Sequence, residues 1–143
     1  MKKLVFLFLA FLLLPSYSLA KSFGNYEGAI YIRNYDGDTI TFNLPGLHPI
    51  IGEKISIRVN GIDTPEIRGK CEKEKYDAKQ AKELVADILK EAEMIALINM
   101  ERGKYFRIAA DVIVDGESLA DLLIESGMAI KYDGGKKNKN WCE

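Results

Sequence analysis

Histidine occurs once in the 143 residues and cysteine twice, so a zinc centre of the usual four-ligand kind has too few soft ligands to form. A nucleophile activated by imidazole would need His48. That residue lies in a loop with two prolines and two glycines, Pro45 to Lys54, where no neighbour orients it for proton transfer. Bulk positive charge is also missing. Setting aside Lys2 and Lys3 leaves 18 basic against 21 acidic side chains, a formal charge of about −3. The chain is therefore not a bulk-basic polyanion binder, and any contact with phosphate must be local. A long apolar run occurs only at Leu4 to Leu14, too short to span a bilayer comfortably.

What is present begins with that run. Met1-Lys2-Lys3, the apolar stretch and then Pro15 to Ala20 have the order of a secretory signal with cleavage after Ala20. Residues 1–20 are thus expected to be a signal peptide, and residues 21–143 one exported domain, periplasmic or secreted, with no membrane span. In an exported chain an even count of cysteines reads most economically as a disulfide, Cys71 to Cys142; two free thiols or a metal pair are the alternatives. The bridge would close a long loop and contribute roughly 4 kcal/mol. It would also bring together two basic segments, Arg68, Lys70, Lys73 and Lys75 around Cys71, and Lys136, Lys137 and Lys139 before Cys142. Their meeting makes a rim that attracts polyanions; a solvated loop and a solvated tail are the plainer reading, because Glu72 and Glu74 dilute the charge.

Along the chain, Tyr26 to Tyr35 and Ile40 to Leu44 read as strands joined through Asp36-Gly37, a hairpin signal. Asp38 is not needed for the turn and starts a strand, where Asp is disfavoured. Ile55 to Ile62 is an extended run in which alternation puts Arg58 with Asn60 and Ile62, opposite Ile57 and Val59. It ends in Asp63-Thr64-Pro65-Glu66, a sequence that could equally start a helix. Ala78, Ala81, Leu84, Val85, Ile88 and Leu89 recur at three and four, predicting a helix over Cys71 to Ala92. Met94 to Met100 and Ile108 to Val114 are further strands. A short helix follows, capped by Ser118 and stopped by Gly127, then a last short strand, Met128 to Lys131, and a polar tail. Strands with helices between and after them predict an α+β fold, a five-stranded OB-type β-barrel with helices packed on it.

The polar residues at strand ends make a chemical set. Asp38, Asp63 and Glu66 are carboxylates and Arg58 and Arg107 are planar cations. Hard oxygen donors select calcium, magnesium or manganese, and a metal between Asp38 and Asp63, with a backbone carbonyl at Thr64, would let a phosphate approach. Two guanidinium forks suit the paired oxygens of a phosphodiester and its charged transition state. Glu66 remains to orient or deprotonate water, and without an evident Ser, Cys or His nucleophile direct attack by water is favoured.

These motifs, Asp36-Gly37-Asp38-Thr39, Arg58 followed by Asp63-Thr64-Pro65-Glu66, and Lys104-Tyr105-Phe106-Arg107, resemble the staphylococcal nuclease (thermonuclease) family from about Tyr26 to Ile130. The resemblance implies an OB barrel and a calcium-dependent endonuclease on DNA and RNA, single-stranded or unstructured, that leaves 3′-phosphates and acts as a monomer. It makes Asp38, Asp63 and the Thr64 carbonyl the calcium ligands, Glu66 the general base or water-orienting residue, and Arg58 and Arg107 the transition-state arginines. Lys104 and Tyr105 would touch a neighbouring phosphate. Phe106 departs from the glycine usual there, and the chain ends where many members continue into another helix. A non-catalytic OB-fold module of the cell envelope that binds oligonucleotides is the alternative.

Overall fold

In a computed structural model the described residues are 22–103 and 107–143; the expected signal peptide, and Lys104, Tyr105 and Phe106, lie outside them. In chain order the elements are β1 (Tyr26–Glu27), β2 (Ile30–Asn34), β3 (Thr39–Asn43), α1 (Pro49–Gly52), β4 (Ile55–Val59), β5 (Ile62–Asp63), α2 (Glu72–Glu91), β6 (Ile95–Arg102), β7 (Ile108–Val114), β8 (Glu117–Ser118), α3 (Leu119–Glu125) and β9 (Ile130–Lys131). The five longer strands are those expected from the sequence. They form one mixed sheet in the order β1-β6-β7-β4-β3-β2, with β8 on β7, while β5 pairs with β9. Only β4 and β7 run parallel in it. Register shifts between Tyr31 and Arg33 and between Ile98 and Glu101 interrupt two ladders, and such bulges bend and twist a sheet. The result is the curled half-barrel of an OB fold with three helices, an α+β structure.

Alternation fills the interior. Ile40 and Phe42 of β3, Ile57 and Val59 of β4, Leu97 of β6 and Val112 of β7 are essentially fully buried. Helix α2 adds Ala78, Ala81, Val85 and Leu89, and α3 adds Leu119 and Leu123. Both helices begin and end as the sequence predicts. Cys71 caps α2 through Sγ, which accepts the Glu74 N–H, and Ser118 Oγ accepts the Asp121 N–H at 3.2 Å.

Three local expectations need correction. Tyr26 to Tyr35 is two strands, because Gly28 adopts φ +79° and sends Tyr26–Glu27 to β6 and Ile30–Asn34 to β3. The run through Ile62 likewise breaks at Gly61, φ +76°, which resets the alternation: Ile62 is buried rather than sharing the outward side of Arg58. Within the loop, Pro49–Gly52 forms a helical turn capped by His48, whose Nδ1 accepts the Ile50 N–H. No helix starts at Asp63-Thr64-Pro65-Glu66: Asp63 ends β5, and Thr64, Pro65 and Glu66 lead through an irregular corner, buried up to Pro65, toward α2.

Candidate active site

The turn before β3 is built by Asp36, whose Oδ1 accepts the N–H groups of Asp38 (3.1 Å) and Thr39 (2.8 Å). This side-chain bonding replaces the tight two-residue hairpin that Asp-Gly suggests. Gly37 is required by contact rather than by an unusual φ: a Cβ there would stand 2.9 Å from Thr64 Cγ2 and 3.1 Å from Ala81 Cβ. The turn is thereby wedged between the corner and α2. Asn34, also buried, donates from Nδ2 to the carbonyls of Asp36 and Lys82 and ties the end of β2 to the same helix.

Strand register then assembles the charged groups. Thr39 is the cross-strand partner of Arg58, and Arg58 is the partner of Ala109, two residues after Arg107. Asp38, Arg58, Glu66 and Arg107 accordingly line one cleft of about 1010 Å³, together with Arg68, Tyr132 and Lys137. Thr64 packs behind Asp38, its Oγ1 donating to Asp38 Oδ2 at 3.0 Å, and Asp38 is also ion-paired with Arg58. Asp63 is not in this lining but in that of a second cavity of about 670 Å³, which shares Tyr132 and Lys137 with the cleft. Arg58 donates its Nη2 to the carbonyl of Ile62 at 3.1 Å, which fixes the guanidinium.

The two expected metal carboxylates are almost sealed from solvent, Asp38 at 6% and Asp63 at 1% exposure. Burial raises the Asp38 pKa to about 6, against the opposing pull of the Arg58 charge. Asp63 is held by Trp141 Nε1 at 3.4 Å and by Lys137 Nζ at 2.8 Å, and Lys137 also reaches Glu66 Oε1 at 2.5 Å. Desolvation works to lower the Lys137 pKa, but the two carboxylates outweigh it and hold the ammonium above the ordinary lysine range. Arg58 Nη1 and Asp63 Oδ1 are buried atoms matched by ion pairs rather than by directed hydrogen bonds. Carboxylate oxygens are of the hard type that a divalent ion prefers, but here the charges of Asp38 and Asp63 are met by Arg58 and Lys137, and among the described residues these carboxylates do not converge as a ready-made group of ligand atoms.

The remaining expectations divide. Cys71 and Cys142 form the disulfide, with Cα atoms 5.9 Å apart, and the tail does meet the corner. Lys137, however, is paired with site carboxylates, and Lys73 and Lys75 are paired with Asp77 and Glu72, so the basic rim is narrower than the sequence suggests. Glu74 is not a solvated diluting charge. It is buried, and its carboxylate accepts the N–H groups of Lys70 (2.8 Å) and Glu66 (3.5 Å), closing the turn that carries Glu66. Its place three residues after the helix cap, where Glu returns to the preceding turn, is the signal that could have revealed it. Cys71, Cys142 and Glu74 bring potential ligand atoms within 4.8 Å of one another, but sulfurs joined in a disulfide are not thiolate ligands. Lys104 and Tyr105 lie outside the described residues.

Comparison with protein families matches residues 56–141 to the one described as staphylococcal nuclease homologue. The chain belongs to this family. The match contains Arg58, Asp63 to Glu66, Arg107 and Trp141, and begins beyond Asp38. A search of curated proteins finds no match. Membership carries the OB fold, nuclease-type hydrolysis and nucleic-acid binding as properties of the family. Among the described residues no helix is long and apolar enough to cross a membrane.

Proposed function

We propose that the protein is a calcium-dependent endonuclease that hydrolyses phosphodiester bonds of single-stranded or unstructured DNA and RNA, leaving 3′-phosphates. The observation that supports this reading best is the convergence of Asp38, Arg58, Glu66 and Arg107 on one cleft, with Thr64 against Asp38 and Asp63 linked to Glu66 through Lys137. Asp38, Asp63 and the Thr64 carbonyl would hold the ion. Once bound, calcium neutralises the carboxylates and polarises a phosphoryl oxygen.

The chain's own groups supply the rest. Glu66, exposed at the cleft, orients water and accepts its proton as the water oxygen attacks phosphorus. Arg58 and Arg107 present paired N–H donors to the non-bridging oxygens, whose charge grows in the five-coordinate transition state. The bond from phosphorus to the 5′-oxygen breaks, that oxygen takes a proton, and the phosphate stays on the 3′ side. Tyr132, half-buried in the same cleft, offers a ring on which a base can stack.

Residues 1–20, read as a signal peptide, make this an exported, periplasmic or secreted protein, and the disulfide suits such a compartment. The test incubates single-stranded DNA and RNA with the oxidised protein in calcium, magnesium or chelator and determines the product ends. Cleavage in calcium alone, with 3′-phosphate ends, is expected. Intact substrate throughout, from a folded protein that still retards oligonucleotides, would leave a binding module in place of the enzyme.

A further inference from the structure

The cation that meets Asp63 here is the chain's own. Lys137 Nζ bridges Asp63 Oδ1 and Glu66 Oε1 at 2.8 and 2.5 Å, joining an expected metal ligand to the expected base. The segment that delivers it is anchored at both ends. Before it, the Tyr132 N–H donates to the Gly61 carbonyl at 2.9 Å. After it, Trp141 donates to Asp63 Oδ2, the Trp141 carbonyl accepts from Lys73, and Cys142 is bonded to Cys71. Lys137 thus sits midway along a short strap across the corner. Its side chain is nearly half exposed, so the ammonium can leave the carboxylates without disturbing the core.

We propose that Lys137 competes internally with the divalent ion: it occupies the Asp63 and Glu66 carboxylates in the metal-free protein, leaves them when the ion binds, and is kept within reach by the strap. The physical reason is exclusion by charge. An ammonium in contact with Asp63 and a divalent ion on the same oxygens would repel across a poorly solvated gap, so each weakens the binding of the other by the same factor. The proposal rests on reading Asp63 as a metal carboxylate. It also gives Lys137 a duty that an exposed tail lysine would not have, because in the metal-free state Asp63 would otherwise be a buried charge lacking a cation.

The test measures calcium affinity without substrate. Calorimetry is run on the oxidised wild type and on Lys137→Met, Lys137→Gln and Lys131→Met, the last removing an exposed charge on the strand paired with Ile62–Asp63 that, among the described residues, forms no ion pair with Asp63 or Glu66. The single tryptophan, Trp141, gives a second readout by fluorescence because its indole touches Asp63. Both Lys137 variants should bind calcium at least about fivefold more tightly than wild type, within the usual range of coupling between sites, and Lys131→Met should stay close to wild type. Equal affinity in wild type and the Lys137 variants, or equal tightening in Lys131→Met, would overturn the proposal and leave the metal site standing. No calcium binding by any of the four folded proteins would overturn both.

Discussion

Asp38 lies where a carboxylate is costly, and its environment makes that cost depend on pH. Its pKa of about 6 lies above the ordinary 3.8 because burial disfavours the charge. Between roughly pH 4 and 6 the folded state therefore holds the proton more strongly than the unfolded chain, so stability from this group falls as pH rises. In chelator, the melting temperature of Asp38→Asn relative to wild type should move in the variant's favour from pH 4 to pH 7; a constant difference would count against the buried charge. Calcium binding runs the other way, since a ligand carboxylate must be ionised, and wild-type affinity should drop as pH falls through about 6. The sequence marked Asp38 because Asp at a strand start contradicts local propensity. Lys137 and Trp141 carried no such mark: their contacts with Asp63 cross more than seventy residues and arise only from folding.

At the scale of elements, the site depends on how the corner from Asp63 to Cys71 is closed. Glu74 accepts backbone N–H groups of that turn from the first turn of α2, and Gly69 gives it room: a Cβ at Gly69 would lie 2.5 to 2.6 Å from the Glu74 carboxylate. Gly69→Ala should cost on the order of 1–3 kcal/mol, as overpacking does, and lower cleavage by displacing Glu66; denaturant melts and initial rates check the two effects. The Cys71–Cys142 bridge spans 71 residues. Its removal in a Cys71→Ser, Cys142→Ser double variant should cost up to about 4 kcal/mol, read from urea unfolding, and a loss below about 1 kcal/mol would mean the tail is held chiefly by its other contacts. Periodicity made the long strands and both long helices legible, because their apolar faces are regular. It failed at Gly28 and Gly61, where one backbone rotation splits an extended run and hands the pieces to different partners.

For the whole molecule, a net acidic chain would meet a polyanion at a cleft that sets Arg58, Arg68, Arg102, Arg107 and Lys137 against Asp36, Asp38, Glu66, Glu101 and Asp133. Oligonucleotide binding by Glu66→Gln in calcium should consequently depend only mildly on salt, with a log–log slope of roughly −1.4 to −2.1 for two or three phosphates on a single strand. A much steeper slope would mean that the lysines of the tail and of the loop around Cys71 engage the strand broadly. Cysteine parity revealed that the tail returns to the corner, whereas its reach into the carboxylates required the three-dimensional path of residues 132–142.

The most direct measurement is the cleavage rate of single-stranded DNA at saturating calcium for wild type, Glu66→Gln and Arg107→Ala, purified identically. Wild type should cleave, and each variant should lose about a hundredfold or more in kcat while keeping its fold, as expected for a base and for a transition-state donor. Variants that cleave like wild type, or a folded wild type inert in calcium, would contradict a phosphodiesterase built on these residues.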